Sequence, residues 1–175
     1  MSAPKLYVAG DALLAHLMGE AQPLPAELRA LKLPASGLLD TRQECSGDMA
    51  FLRQLTGRVR LMVDPCAWVF ANDEEVMAVF FFVDAPDQDG HVTLSGSLAP
   101  DYQSRGHGVR LYRRVVRHLS MTTDLTAINV QVFHSNGRSM HVHQVLGFVP
   151  VATGDDPELG AYSWLRLKLE RGAGS

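Results

Sequence analysis

The sequence predicts an α+β fold whose first half is a mostly antiparallel sheet. Three observations carry this expectation. Ala67–Ala71, Val76–Val83 and His91–Leu98 are rich in β-formers and joined by short polar links, which suits a meander of neighbouring strands. Further on the apolar period lengthens. Leu111, Tyr112, Val115, Val116 and Leu119 form one helical stripe, and Arg110, Arg113, Arg114 and Arg117 form the opposite face. After that, short β-rich and helical segments alternate to the end of the chain.

Taken in order, the chain opens on helical signals. Asp11–Gly19 places Leu13, Leu14, Leu17 and Met18 on one face, and a second short helix is expected at Ala26–Leu31, with prolines on either side. Residues 1–37 therefore read as an N-terminal helical extension. Leu38–Arg42 is expected to be a first strand. Ser46 can cap a helix carrying Met49, Phe51, Leu52 and Leu55, with Gly57 as its stop. A second helical stretch is expected at Arg58–Met62, ended by Asp64-Pro65. The three-strand meander follows. The helix from Val109 leads to a strand at Ala127–Phe133, and a helix at Asn136–Leu146 closes on Gly147. Strands are expected at Phe148–Ala152 and Tyr162–Leu169. The core domain is set at 38–170, with a loose glycine-rich tail at 171–175.

At 175 residues, one domain of ordinary size needs neither disulfides nor a structural metal. With 16 Lys and Arg against 19 Asp and Glu, the net charge is −3, so a dedicated nucleic-acid binder is not expected. The two cysteines, Cys45 and Cys66, have no metal-binding spacing and fit a reducing compartment. The longest apolar run, Val76–Val83, is far too short to span a bilayer. A cytoplasmic location with no membrane partner and no metal follows as the expectation.

The stretch Leu98–Val109, LAPDYQSRGHGV, carries the chemistry. It leaves a strand, passes two glycines and enters an amphipathic helix. A helix start offers unpaired amides and the positive end of the dipole. Gly106 and Gly108 allow φ > 0 and close backbone approach, so the turn can cradle a phosphate. The same two glycines alone also fit a plain tight strand-to-helix turn. The spacing is neither that of a P-loop nor that of a dinucleotide fingerprint.

Gln103-Ser104-Arg105-Gly106-His107-Gly108 resembles the Q/R-x-x-G-x-G/A signature of the GCN5-related N-acetyltransferases (GNAT superfamily), and Pro100-Asp101-Tyr102 precedes it. Asn136, 28 residues after Gly108, begins a second stretch with Ser139, His143 and Leu146-Gly147-Phe148. That stretch is similar to the family's N-x-x-A-x-x-x-Y-x-x-x-G-F. The resemblance covers about residues 38–170. It implies acetyl-coenzyme A, or another acyl-coenzyme A, as co-substrate. Leu98 and Ala99 would pair with the pantetheine arm. Backbone amides of Ser104, Arg105, Gly106, His107, Gly108 and Val109 would hold the pyrophosphate, with Gln103 and Asn136 alongside. The fold implied is a mixed, mostly antiparallel central sheet flanked by helices, in which Val92–Leu98 and Ala127–Phe133 would splay to admit the cofactor. The activity implied is direct transfer of an acetyl or short acyl group to an amine.

His143 stands where the family commonly has the Tyr that protonates the departing thiolate, and it is the candidate general acid; it shares a face with Asn136, the second catalytic candidate. Lining the site without a chemical role is the other reading of His143. The strand His91–Leu98 has no carboxylate; Thr93, Ser95 and Ser97 could hold a water, and Asp84 or His134 could act from strand ends. A non-catalytic acyl-coenzyme A-binding or sensing module, and an effector acting on a macromolecule, remain as alternatives. The acceptor amine cannot be read, and a homodimer is left open.

Overall fold

The structure, a computed structural model, describes residues 3–39 and 48–171. Its elements run β1 (Lys5–Val8), α1 (Asp11–Leu17), α2 (Ala26–Arg29), α3 (Met49–Arg60), β2 (Ala67–Asn72), β3 (Glu75–Phe82) and β4 (His91–Leu98). Then come α4 (His107–Thr122), β5 (Ala127–Phe133), α5 (Gly137–Val145), β6 (Val149–Asp156) and β7 (Gly160–Lys168). The class is α+β, and four of the five strand pairings whose registers follow are antiparallel.

The chain forms two compact units. The first takes residues 1–83 and 96–105. In it β1 pairs with β2 and β2 with β3, both antiparallel. Leu13, Leu14, Leu38, Leu52, Val69, Val76 and Val79 form a core with Ala99. Each such aliphatic side chain contributes about 1.5–3 kcal/mol when fully buried. Arg53 of α3 ties down α1 through Asp11, by Nε at 2.8 Å and Nη2 at 2.9 Å. The other face of β2 and β3 holds the edge-on ring pairs Trp68–Phe82 and Phe70–Phe80.

The first 37 residues are not a helical extension laid onto a finished core. Lys5–Val8 is a strand that pairs with Trp68–Ala71, and Leu13, Leu14 and Leu31 are among the most buried side chains. Four residues give too short a window for a period-2 signal. The Lys32 carbonyl accepts the Val76 amide at 2.9 Å, so the segment after α2 also joins the meander. Of the expected first strand Leu38–Arg42, Leu38 and Leu39 lie in a bend and the rest lies outside the described residues. Ser46, the expected cap, lies outside them too. Asp48 caps α3 instead, its carboxylate accepting the Phe51 amide at 2.9 Å. The helix does not stop at Gly57 but runs on to Arg60. The buried row Leu52, Thr56, Val59 continues across the glycine and outweighs its cost of about 1 kcal/mol.

The second unit takes residues 84–95 and 106–175. Its strand order is β4-β5-β7-β6. β4 and β5 are parallel, as a connection through a helix requires, and the hairpin β6–β7 is antiparallel. From Ile128 onward side chains alternate along β5: Ile128, Val130 and Val132 are buried, while Asn129, Gln131 and Phe133 are not. Leu111, Val115 and Leu119 of α4 are fully buried, as the helical stripe predicts. No helix among the described residues is long and apolar enough to cross a membrane.

Candidate active site

In the first unit, β4 ends at Leu98, and the Ala99 amide donates to the Met77 carbonyl at 2.8 Å. A single 3-10 turn, Pro100–Tyr102, follows. It is held by the Tyr102 hydroxyl, which donates to the Glu75 carboxylate. Burial and that carboxylate push the Tyr102 pKa up to about 12. Gln103 turns back, its Nε2 donating to the Leu98 carbonyl at 3.0 Å. Three of the expected site residues, Leu98, Ala99 and Gln103, are thus brought together. The loop then enters the left-handed region at Ser104, with φ 59°.

In the second unit, Gly106 is the N-cap of α4 at φ 77°, ψ 2°. A side chain there would be strained although the space around it is open. No side chain caps this helix start, and no acidic residue lies in its first turn. A cradle of this kind suits an anion, because the dipole end meets no competing carboxylate. Gly108 sits against α5: a Cβ there would lie 3.3 Å from Val142 Cγ2. The two glycines therefore have different reasons, one backbone conformation and one helix contact. Arg110 bonds His107 Nδ1 at 3.0 Å, and Arg110, Arg113 and Arg117 are exposed.

Asn136 caps α5, its Oδ1 accepting the Ser139 amide at 3.1 Å. Its own amide donates to the Phe133 carbonyl at 2.9 Å and ties the cap to the end of β5. His143, one of three buried polar residues among those described, is only 3% exposed. Its ring packs edge-on against Tyr112 of α4 and Phe148. Nδ1 lies 2.7 Å from the Ser139 carbonyl, and a carbonyl only accepts, so Nδ1 carries the proton. Nε2 is then a lone pair, buried and without a hydrogen-bond partner. Burial also pushes the His143 pKa down, against a smaller opposite effect of the Ser139 carbonyl. This geometry weighs against the expected general acid: the outer nitrogen holds no proton, and the charged ring is disfavoured.

β4 and β5 pair only over His91–Thr93 and Ala127–Asn129, although both strands run on. The parting begins within the second unit, at Leu94 and Val130. Of the residues weighed as bases, Asp84 accepts its neighbour's amide, from Ala85 at 2.8 Å. His134 Nε2 lies 2.8 Å from Ser163 Oγ. Ser97 Oγ donates to the Leu38 carbonyl at 3.5 Å. Asp87, Asp89 and His91 bring three ligand atoms within 4.8 Å of one another. Asp87 Oδ1 is already taken by the amides of Asp89 and His91, each at 2.9 Å, as in an ordinary loop turn.

Arg166 was missed from the sequence. Its Nε donates to Asn129 Oδ1 at 2.7 Å, at the last paired position before the strands part. The only signal was the alternation in AINVQVF, which marks Asn129 as facing away from the core.

The model of the acetyltransferase (GNAT) family matches residues 36–148. No curated protein matches the sequence. Among solved structures, YncA from Salmonella typhimurium, a putative acetyltransferase with its cofactor acetyl-CoA, superposes at TM-score 0.62. It is 19% identical, over 99% of this chain and 98% of that one. A spermidine N-acetyltransferase from Vibrio cholerae, in complex with CoA and spermine, gives 0.60 at 14% identity, over 73% and 79%. Mutant forms of the spermidine/spermine N-acetyltransferase SpeG from the same organism give 0.66 at 12%, over 95% of each chain. The left-handed glycine entering α4, the capped α5 and the parting of two parallel strands occur together within a family match that spans most of the chain, and the chain belongs to the GNAT acetyltransferase family.

Proposed function

We propose that this protein transfers an acetyl or other short acyl group from acyl-coenzyme A directly to an amine. The observation that carries the reading is the uncapped start of α4 behind left-handed Gly106, in a member of the GNAT family. Amides from Ser104 to Val109 would hold the pyrophosphate, and the backbone at Leu98 and Ala99 would meet the pantetheine arm. Gln103 would release the Leu98 carbonyl as it does so. Acyl-coenzyme A supplies the thioester. Asn136 shapes the start of α5 by capping it, and His143 fixes the packing of α5 on Tyr112. The acceptor nitrogen attacks the thioester carbonyl, the C–S bond breaks, and coenzyme A leaves as its thiolate, to be protonated by water; catalysis rests on positioning and amide polarisation. With His143 neutral, the proton leaves through ordered water at Thr93 or Ser95. Cytoplasmic action on a soluble amine fits this chemistry. The amine bound by the Vibrio cholerae neighbour supports an amine acceptor in general terms.

A second reading is a coenzyme A-binding module without turnover. The lone pair at His143 Nε2 and the lack of a carboxylate on β4 favour it. A turnover screen with acetyl-, propionyl- and longer acyl-coenzyme A against a panel of amines separates the two. Acyl transfer to any amine establishes the first. Tight coenzyme A binding with no transfer across the panel establishes the second.

A further inference from the structure

The second unit's sheet has one buried face and one open face. Residues opposite each other in the register share a face, so Asn129 and Arg166 sit together, as do Gln131 and Trp164, and Phe133 and Tyr162. All six are on the open side, and Arg166 is half-buried there. An arginine is almost never fully buried unless it is paired. Arg166 makes one hydrogen bond, through Nε to Asn129, and no ion pair among the described residues. Among the described residues neither Nη group has a hydrogen-bond partner. Lys168 adds a second positive charge two residues along the same face, and the register neighbours Ala127, Asn129 and Val149 carry no charge. Asp87 is the one carboxyl that Arg166 affects: the guanidinium helps hold it below the usual carboxylate range, as the smallest of several causes, without pairing with it.

Asn129 thus holds the guanidinium through Nε alone and leaves the two-nitrogen fork unengaged among the described residues. Such a fork matches the two oxygens of a carboxylate or the oxygens of a phosphate. Its position is also informative. Asn129 pairs with Thr93 at the last step before β4 and β5 part. From these observations we propose that Arg166, held by Asn129, is an anion-binding subsite for the acceptor, so that the acceptor is an amine that also carries a carboxylate or phosphate group. This rests on the acyltransferase reading above and narrows it from any amine to an anionic one. Trp164, next to Arg166 on the same face, offers a flat apolar surface for the carbon skeleton between the two groups.

The test pairs each acceptor with a neutral twin: amino-carboxylates against their amides, and amino-phosphates against amino-alcohols, with acetyl-coenzyme A as donor. Amino-carboxylates or amino-phosphates are expected to show kcat/KM at least tenfold above their twins. Arg166→Gln should erase that ratio through KM, Arg166→Lys should restore part of it, and the Kd of coenzyme A should not move in either variant. Equal use of the neutral twins, or a preference that survives Arg166→Gln, overturns the proposal. So does a loss of coenzyme A affinity in that variant, which would assign the fork to a cofactor phosphate. A second readout is independent of turnover. The Arg166 Nε–H resonance, followed by NMR, should shift saturably with glycine, β-alanine or phosphoethanolamine, and not with glycinamide or ethanolamine. A saturable shift without turnover keeps the subsite and removes the acyltransferase reading. No shift with any of the anionic probes removes the subsite, whatever the turnover screen shows.

Discussion

His143 donates its Nδ1 proton to the Ser139 carbonyl one helical turn earlier, at 2.7 Å. Its other nitrogen is thereby a lone pair closed off between Tyr112 and Phe148. The ring is held neutral, and this bears on both stability and catalysis.

A buried neutral histidine makes the fold acid-sensitive. Its pKa lies below the ordinary value of 6.5, so below that pH the unfolded chain binds a proton that the folded chain refuses. Stability is therefore full above about pH 6.5 and falls as the pH drops toward the lowered value. Tm measured from pH 7.5 to pH 5 should fall less steeply in His143→Leu than in the parent. A slope that remains in the variant reports other groups, among them His118, which burial also pushes down. An identical slope in both proteins would show that His143 titrates normally.

The same neutrality predicts an unaltered pH–rate profile. His143→Phe should keep the alkaline limb of kcat/KM in place, because no imidazolium proton is being consumed. His143→Tyr brings a larger ring into a site that is 3% exposed, and overpacking should cost about 1–3 kcal/mol in thermal or urea unfolding. Disappearance of the alkaline limb in His143→Phe would reinstate the general acid.

At the phosphate loop, conformation and charge can be separated. Gly106→Ala keeps open space but forces a Cβ into the left-handed region, a cost of about 1–2 kcal/mol. Gly106→Glu adds an anion where the dipole end is positive. By calorimetry, the Kd for coenzyme A should rise more than tenfold in the Glu variant and much less in the Ala variant. Equal affinity in all three proteins would remove the loop as the pyrophosphate site.

Tyr102 and Glu75 make the turn alkali-sensitive. The Tyr102 pKa rises from 10.0 to about 12, so the unfolded chain loses a proton first as the pH rises. The stability this group adds is complete below pH 10 and declines on the way to about 12. Tyr102→Phe should lower stability near neutrality by about 1.5–3 kcal/mol, the range for a hydrogen bond to a charged group. Ultraviolet titration should also lose one late-ionising phenol. A parent protein whose four tyrosines all ionise near pH 10 would contradict this.

Gly154 lies beneath the Tyr162 ring across the β6–β7 pair, where any Cβ would run into it. Gly154→Ala should cost about 1–3 kcal/mol alone. Combined with Tyr162→Ala it should cost clearly less than the sum of the two single changes, since the small side chain removes the clash. Strict additivity in urea melts would mean that the ring does not rest there.

Much of the fold was legible because its signals are local. The stripe at Leu111, Val115 and Leu119 repeats at the helical period, and those residues are buried together. The strand limits His91–Leu98 and Ala127–Phe133 match the expected ones, because each run ends at turn-forming residues, Pro100 and Ser135-Asn136. Gly147 does follow α5 in the left-handed region, at φ 92°. Other elements gave no such signal. β1 has four residues, too few to show alternation, and is a strand because β2 offers it an edge. The stop expected at Gly57 failed because the buried row continues past it.

By itself, then, the sequence determined the class of fold, the loop that enters α4 and the spacing from Gly108 to Asn136. Each depends on residues close together along the chain, where backbone preference and period act directly. Only the tertiary structure decided which ring nitrogen of His143 carries the proton, since burial by Tyr112 and Phe148 and the nearby carbonyl set it. Only the tertiary structure set Asn129 against Arg166, 37 residues later. That meeting depends on β5 choosing β7 as its neighbour and on the register between them. A change of one residue in register would turn Arg166 into the core and leave Asn129 without it.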